Sequence, residues 1–134
     1  MTEANYSFEE IQIELNKKGI KILQLGEERY FIYKDVLPPP EDGIEEQLAE
    51  EISKKSKYNN ISFNIWDMSK PSEQPYSQKA HIVFGEVKDL NNVDKITEEI
   101  TSFEREYSSK LKLLRKKLKQ NKKFSVLDFL ERNL

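Results

Sequence analysis

The sequence predicts an α+β fold: two antiparallel β-hairpins packed with amphipathic helices in αββαββ order, followed by a long C-terminal helix and a short docking helix. Three observations predict it. Apolar residues recur at helical spacing in four segments, two pairs of short β-branched and aromatic runs follow the first two of these, and capping residues, Gly or Pro stand at the junctions. Residues 1–90 read as a small α+β domain, and residues 91–134 as a long helix plus a short C-terminal helix of the same folding unit.

The first helix is expected over about residues 8–18. Ser7 and Glu10 form a capping box, in which each side chain satisfies an amide at the helix start, with Tyr6 and Ile11 placed as a hydrophobic staple. Phe8, Ile11 and Leu15 mark its buried stripe, and Gly19 is its stop. Ile20–Leu25 and Tyr30–Val36 then read as a hairpin turning at Gly26-Glu27-Glu28. Pro38-Pro39-Pro40 ends it, because three residues without an amide donor cannot continue a ladder.

Asp42 and Glu45 repeat the capping pattern, and Ile44, Leu48 and Ile52 step by four along one stripe, which predicts a helix over about 43–57. Its acids come early and Lys54, Lys55 and Lys57 late, as the helix dipole favours. Ile61, Phe63 and Ile65 alternate with polar neighbours in a third strand. Residues 68–78 form a polar loop with Pro71 and Pro75, and Ala80, Ile82 and Phe84 mark a fourth strand.

Asn92 is placed to cap a helix from Val93 to about Lys119. Val93, Ile96, Ile100, Phe103, Tyr107, Leu111, Leu114 and Leu118 follow one another in steps of three and four. Such a helix is roughly 40 Å long, against a diameter of roughly 26 Å for a compact chain of this size, so part of it is expected to protrude or to pack on another subunit. Ser125 and Asp128 form a third capping box, with Phe124 and Phe129 as staple, opening a short helix through Arg132.

Composition excludes several classes of function. The chain has 134 residues, 34% of them charged, and no cysteine, which removes disulfides, thiol chemistry and Cys-ligated metals. No apolar run approaches the roughly 20 residues of a membrane span, and Met1–Ser7 lacks the pattern of a signal peptide, so a cytoplasmic protein is expected. Four unclustered glycines leave no phosphate-cradling loop, and no cofactor is implied. Net charge is −2, but it is divided. The first 104 residues carry 12 basic and 21 acidic side chains, and the last 30 carry 10 and 3; Lys110 to Lys123 holds eight cations and no acid.

The most enzyme-like string is Phe84-Gly85-Glu86-Val87-Lys88. It resembles the (D/E)xK element of the PD-(D/E)xK nuclease family, a resemblance that implies metal-binding carboxylates at Glu86 and Asp67 with Lys88 supporting attack by water. Antiparallel register opposes it: Asp67 falls opposite about Lys79 and Glu86 near Asn60, so the two carboxylates stand roughly 20 Å apart. Only Glu50 or Glu51 from the preceding helix, or non-adjacent strands, could restore a site. The string reads better as an ordinary strand end. His81, the single histidine, has no serine, cysteine or second histidine at recognisable spacing, and a surface or partly packed role suits it.

The favoured expectation is therefore a small non-catalytic interaction or regulatory protein that assembles through its long helix. Phe103, Tyr107, Leu111, Leu114 and Leu118 would bind a protein partner or a second copy, and Lys112, Arg115, Lys116, Lys119 and Lys123 would attract anions. The alternative is a nucleic-acid-binding protein that uses the Lys110–Lys123 segment, though no base-reading motif accompanies it. Trp66 is out of phase with the apolar residues of its strand; burial under another element is the first expectation, and exposure would make it a hot-spot candidate.

Overall fold

The computed structural model describes residues 7–67, 79–120 and 125–133. The chain folds as α1 (Phe8–Lys17), β1 (Lys21–Gly26), β2 (Arg29–Asp35), α2 (Gly43–Ser53), β3 (Ser62–Asp67), β4 (Lys79–Val87), α3 (Val93–Gln120) and α4 (Val126–Asn133). The expected α+β class holds, and the two hairpins merge into one antiparallel sheet of order β1-β2-β4-β3. The expected 68–78 loop, the Tyr6 and Phe124 staples and Lys123 lie outside the described residues.

Local chemistry explains the helix ends. The amides of Glu10, Glu45 and Asp128 donate to Ser7 Oγ, Asp42 Oδ1 and Ser125 Oγ at 3.2, 2.9 and 3.3 Å. Gly19 takes φ 77°, which lets its amide bond Asn16 O at 3.0 Å and the next amide, of Ile20, bond Leu15 O at 2.9 Å. Leu15 and Ile20 are both buried at this reversal, so the stop also begins the core. α3 starts at Val93 as expected, but the capping side chain upstream is Asp89, which accepts from the Asn91 amide at 2.9 Å in a 3-10 turn over Leu90–Asn92.

Helix α2 stops at Ser53, short of the expected residue 57, and a 3-10 turn follows over Ser56–Tyr58. Tertiary contacts accompany the break. Lys55 Nζ and Tyr58 OH both reach the Glu106 carboxylate of α3, at 2.9 and 2.7 Å, and Tyr58 is buried.

All four helices serve one face of the sheet. Ile22, Ile32, Val83 and Val87 of the strands meet Leu15 of α1, Leu48 and Ile52 of α2, the apolar stripe of α3, and Phe129 and Leu130 of α4 in one core. Alternation sends Lys21, Leu23, Phe31, Tyr33, Asp35, Ile82, Phe84, Glu86 and Trp66 to the opposite face.

Candidate functional site

The apolar stripe of α3 is covered by its own chain. Phe103, Tyr107 and Leu114 are fully buried, Leu111 is nearly so, and Leu118 is half-buried against the core. This corrects the expectation that these five residues form a partner-binding surface. The long helix does not leave the body; it lies along the sheet, and α2 and α4 flank it.

Polar contacts distributed along α3 hold it there. Glu99 accepts from the Asn60 amide at 3.1 Å, and Glu104 accepts from Lys34 Nζ at 2.8 Å and from the Leu37 amide at 3.2 Å. Glu106 receives Lys55, Lys57 and the Tyr58 hydroxyl. Burial alone would raise the Glu106 carboxyl pKa, but the bonds from Lys57, Lys55 and Tyr58 outweigh it and bring the group down to about 2. Tyr58, buried against that carboxylate, has its phenol pKa raised. Arg115 forms a fork with Glu45, whose carboxyl is lowered chiefly by that hydrogen bond. Lys110 contacts the Asn133 carbonyl and ties α4 to α3.

The basic set is divided by these contacts. Arg115, expected to attract external anions, is engaged by Glu45 and Glu41, and its role is corrected to an internal tie. Lys112, Lys116 and Lys119 are exposed, and among the described residues they carry no ion pair; the same holds for Arg105 and Lys117. Arg105, Lys112, Lys116 and Lys119 follow in steps of seven, four and three, which sets them on one outward face of α3 over about 21 Å of axis. Arg105 was missed in the sequence because Glu106 beside it broke the acid-free run. Helical phase, rather than the run, was the signal that could have found it.

The nuclease-like residues remain apart. Asp67 pairs with Lys79 and Glu86 with Phe31, seven positions away along β4, or about 23 Å. Glu86 is engaged by Arg29 Nε at 2.6 Å on the outer sheet face, and Lys88 follows the end of the strand, exposed. Glu50 pairs with Lys54 on the surface of α2. Among the described residues no group of three or more His, Asp or Glu side chains is placed to hold a metal ion. His81 Nε2 lies 2.8 Å from Glu46, and the imidazole stacks on Phe63. The Tyr107 hydroxyl is buried with no hydrogen-bond partner among the described residues, and burial raises its pKa.

Trp66 is half-buried, on the sheet face that carries no helix among the described residues. Its ring stacks on Phe31 at 5.8 Å and lies within 6.3 Å of Tyr33 and Phe84. No helix among the described residues is long and apolar enough to cross a membrane. Comparison with family models, with curated proteins and with solved structures finds no match for this chain.

Proposed function

We propose that the protein is a non-catalytic interaction protein that holds the phosphate backbone of a nucleic acid on the outward face of α3. The observation that carries this reading is the division of the cations. Lys34, Lys55, Lys57, Lys110 and Arg115 are engaged by carboxylates of the chain itself, whereas Arg105, Lys112, Lys116 and Lys119 meet none among the described residues. Simple balancing of the acidic body would engage both sets. A stripe of about 21 Å can follow several phosphates, which are spaced about 3.4 Å per strand along a duplex axis. No aromatic side chain of α3 is aligned with these cations and its one amide, Gln120, stands at the helix end four residues after Lys116, so binding should be largely independent of sequence.

Labelled DNA and RNA of mixed sequence provide the test, by fluorescence anisotropy. Four phosphate contacts predict a slope of log K against log salt near −3.6 on duplex, or about a hundredfold weaker binding between 50 and 200 mM salt. Changing Arg105, Lys112, Lys116 and Lys119 together to Glu should abolish binding. The same charge change placed at Lys18, Lys79, Lys88 and Lys95 should leave most of it. Absence of binding at low salt, or equal loss in both variants, overturns the proposal.

A further inference from the structure

The sheet face opposite the helices has no part in anion binding, yet it is built as a second apolar layer. Phe31, Tyr33, Phe84 and Trp66 form one cluster there, with Phe31–Phe84 centroids 5.2 Å apart and Tyr33–Phe31 5.5 Å. Beside them Ile82 is only 2% exposed, the one buried apolar side chain among the described residues that is not part of the main core. Leu23 on the same face remains 47% exposed. In register Trp66, opposite Ala80, and Phe31, opposite Glu86, stand six positions apart along β4 and on either side of it, so the twist and coiling of the sheet bring their rings within 5.8 Å.

Among the described residues of its strands, the charges on this face are few and nearly balanced. Arg29 and Glu86 neutralise each other at 2.6 Å. That leaves Lys21, whose ammonium lies 6.0 Å from the Tyr33 ring centre, and Asp35, which has no ion pair among the described residues. A face without a cationic track suits a nucleic-acid strand poorly, because stacking platforms for single strands are accompanied by a positive groove. A second copy of the chain, equally apolar and equally neutral, suits it well.

We propose that two copies pack sheet against sheet through this aromatic face. In the ladder Lys21 stands opposite Tyr33, Tyr33 stands opposite Phe84, and Asp35 lies two residues beyond Tyr33. A two-fold axis in the interface plane, crossing the Tyr33–Phe84 pair, exchanges these flanking positions. Lys21 of each copy then meets Asp35 of the other, and each contact occurs twice. Four strands at about 4.8 Å and six residues at about 3.3 Å give a face of about 400 Å² in projection. Two such faces with their side-chain relief bury on the order of 1,000 Å², the size at which a specific interface becomes stable.

Sedimentation equilibrium of the full chain without nucleic acid tests this, so the result is independent of the α3 reading. The mass should rise with concentration from 15.9 kDa towards twice that value. Added salt should weaken this association only modestly, by screening the two Lys21–Asp35 contacts, whereas an association of the basic tail with the acidic body would be lost. Lys21→Glu should weaken self-association about tenfold, because two like-charge contacts replace two opposite ones, and adding Asp35→Lys should restore it. Tyr33→Asp should abolish it while circular dichroism stays unchanged. A chain that remains at 15.9 kDa up to about 1 mM, or a dimer indifferent to Lys21→Glu and Tyr33→Asp, overturns the proposal.

Discussion

Arg115 of α3 grips Glu45 of α2 through two bonds, Nε to Oε2 at 2.9 Å and Nη2 to Oε1 at 2.8 Å, across 70 residues of sequence. The same carboxylate accepts the Glu41 amide at 2.8 Å, so one buried side chain both closes the start of α2 and fixes α3 beside it. The second half of the capping box thus departs from its usual form, in which Glu45 would return to the amide of Asp42.

This arrangement makes Arg115 structural. The Glu45 side chain is 4% exposed and that of Arg115 33%, which places the pair between a surface bridge, worth less than about 1 kcal/mol, and a buried one, whose breakage costs about 3–5 kcal/mol. Arg115→Ala is expected to lower unfolding free energy by about 2 kcal/mol in urea titration. Arg115→Lys should recover only part of the loss, because an ammonium cannot supply the planar fork. Nucleic-acid affinity should change far less than on charge reversal of Arg105 and Lys112.

Tyr107 and Tyr58 should respond in opposite ways to loss of the hydroxyl. The Tyr107 hydroxyl is buried with no partner among the described residues, so Tyr107→Phe removes an uncompensated polar atom and should be neutral or stabilising by up to about 1 kcal/mol. The Tyr58 hydroxyl donates to a carboxylate, and Tyr58→Phe should cost about 1.5 kcal/mol. Denaturant midpoints of the two variants measured side by side decide this, and equal effects would contradict the assignment.

What could be read from the sequence was local. The three capping side chains and the stop at Gly19 depend on residues within a few positions of one another, and all of them are found in the fold, whereas the alternation of β4 did not tell that Val83 and Val87, rather than Ile82 and Phe84, join the core under the helices. What could not be read depends on partners distant in the chain. The turn that follows α2 is held by Glu106, some fifty residues later, and the freedom of Arg115 is removed by Glu45. The joining of the hairpins through β2 and β4 leaves no periodic signal either, because either strand could equally have remained an edge. Candidate anion-binding residues were legible as a charge run, but separating engaged cations from free ones required the packing of α3.

Gly85 lies where Ile96 of α3 packs directly on the sheet. A Cβ at this position would stand 2.6 Å from the Asn60 carbonyl oxygen and 2.9 Å from Ile96 Cγ2. Gly85→Ala should therefore destabilise by about 2 kcal/mol or more, although alanine is otherwise suited to the strand. Trimming Ile96 to Ala in the same chain should not rescue it, because the closer obstacle is backbone. Thermal melts of the single and double variants check the claim; rescue by Ile96→Ala would show that the helix side chain, and not the Asn60 carbonyl, sets the distance.

Glu106 gives the fold an acid limit. Its carboxyl titrates at about 2 in the folded chain, held down against burial by Lys57, Lys55 and Tyr58, while the unfolded group has its ordinary value of 4.5. A carboxylate lowered by folding contributes stability that is fully present above the unfolded pKa and is lost as pH falls through the folded one. Between about pH 5 and pH 2 the unfolded chain therefore binds more protons at this position, and unfolding becomes easier throughout that window. Glu45, also lowered, acts in the same direction. The melting temperature should be nearly constant from pH 7 to 5 and fall steeply below. Glu106→Gln should start lower at neutral pH and show a shallower acid slope, since one titrating group has been removed; a variant with an unchanged acid slope would mean that Glu106 does not govern the transition.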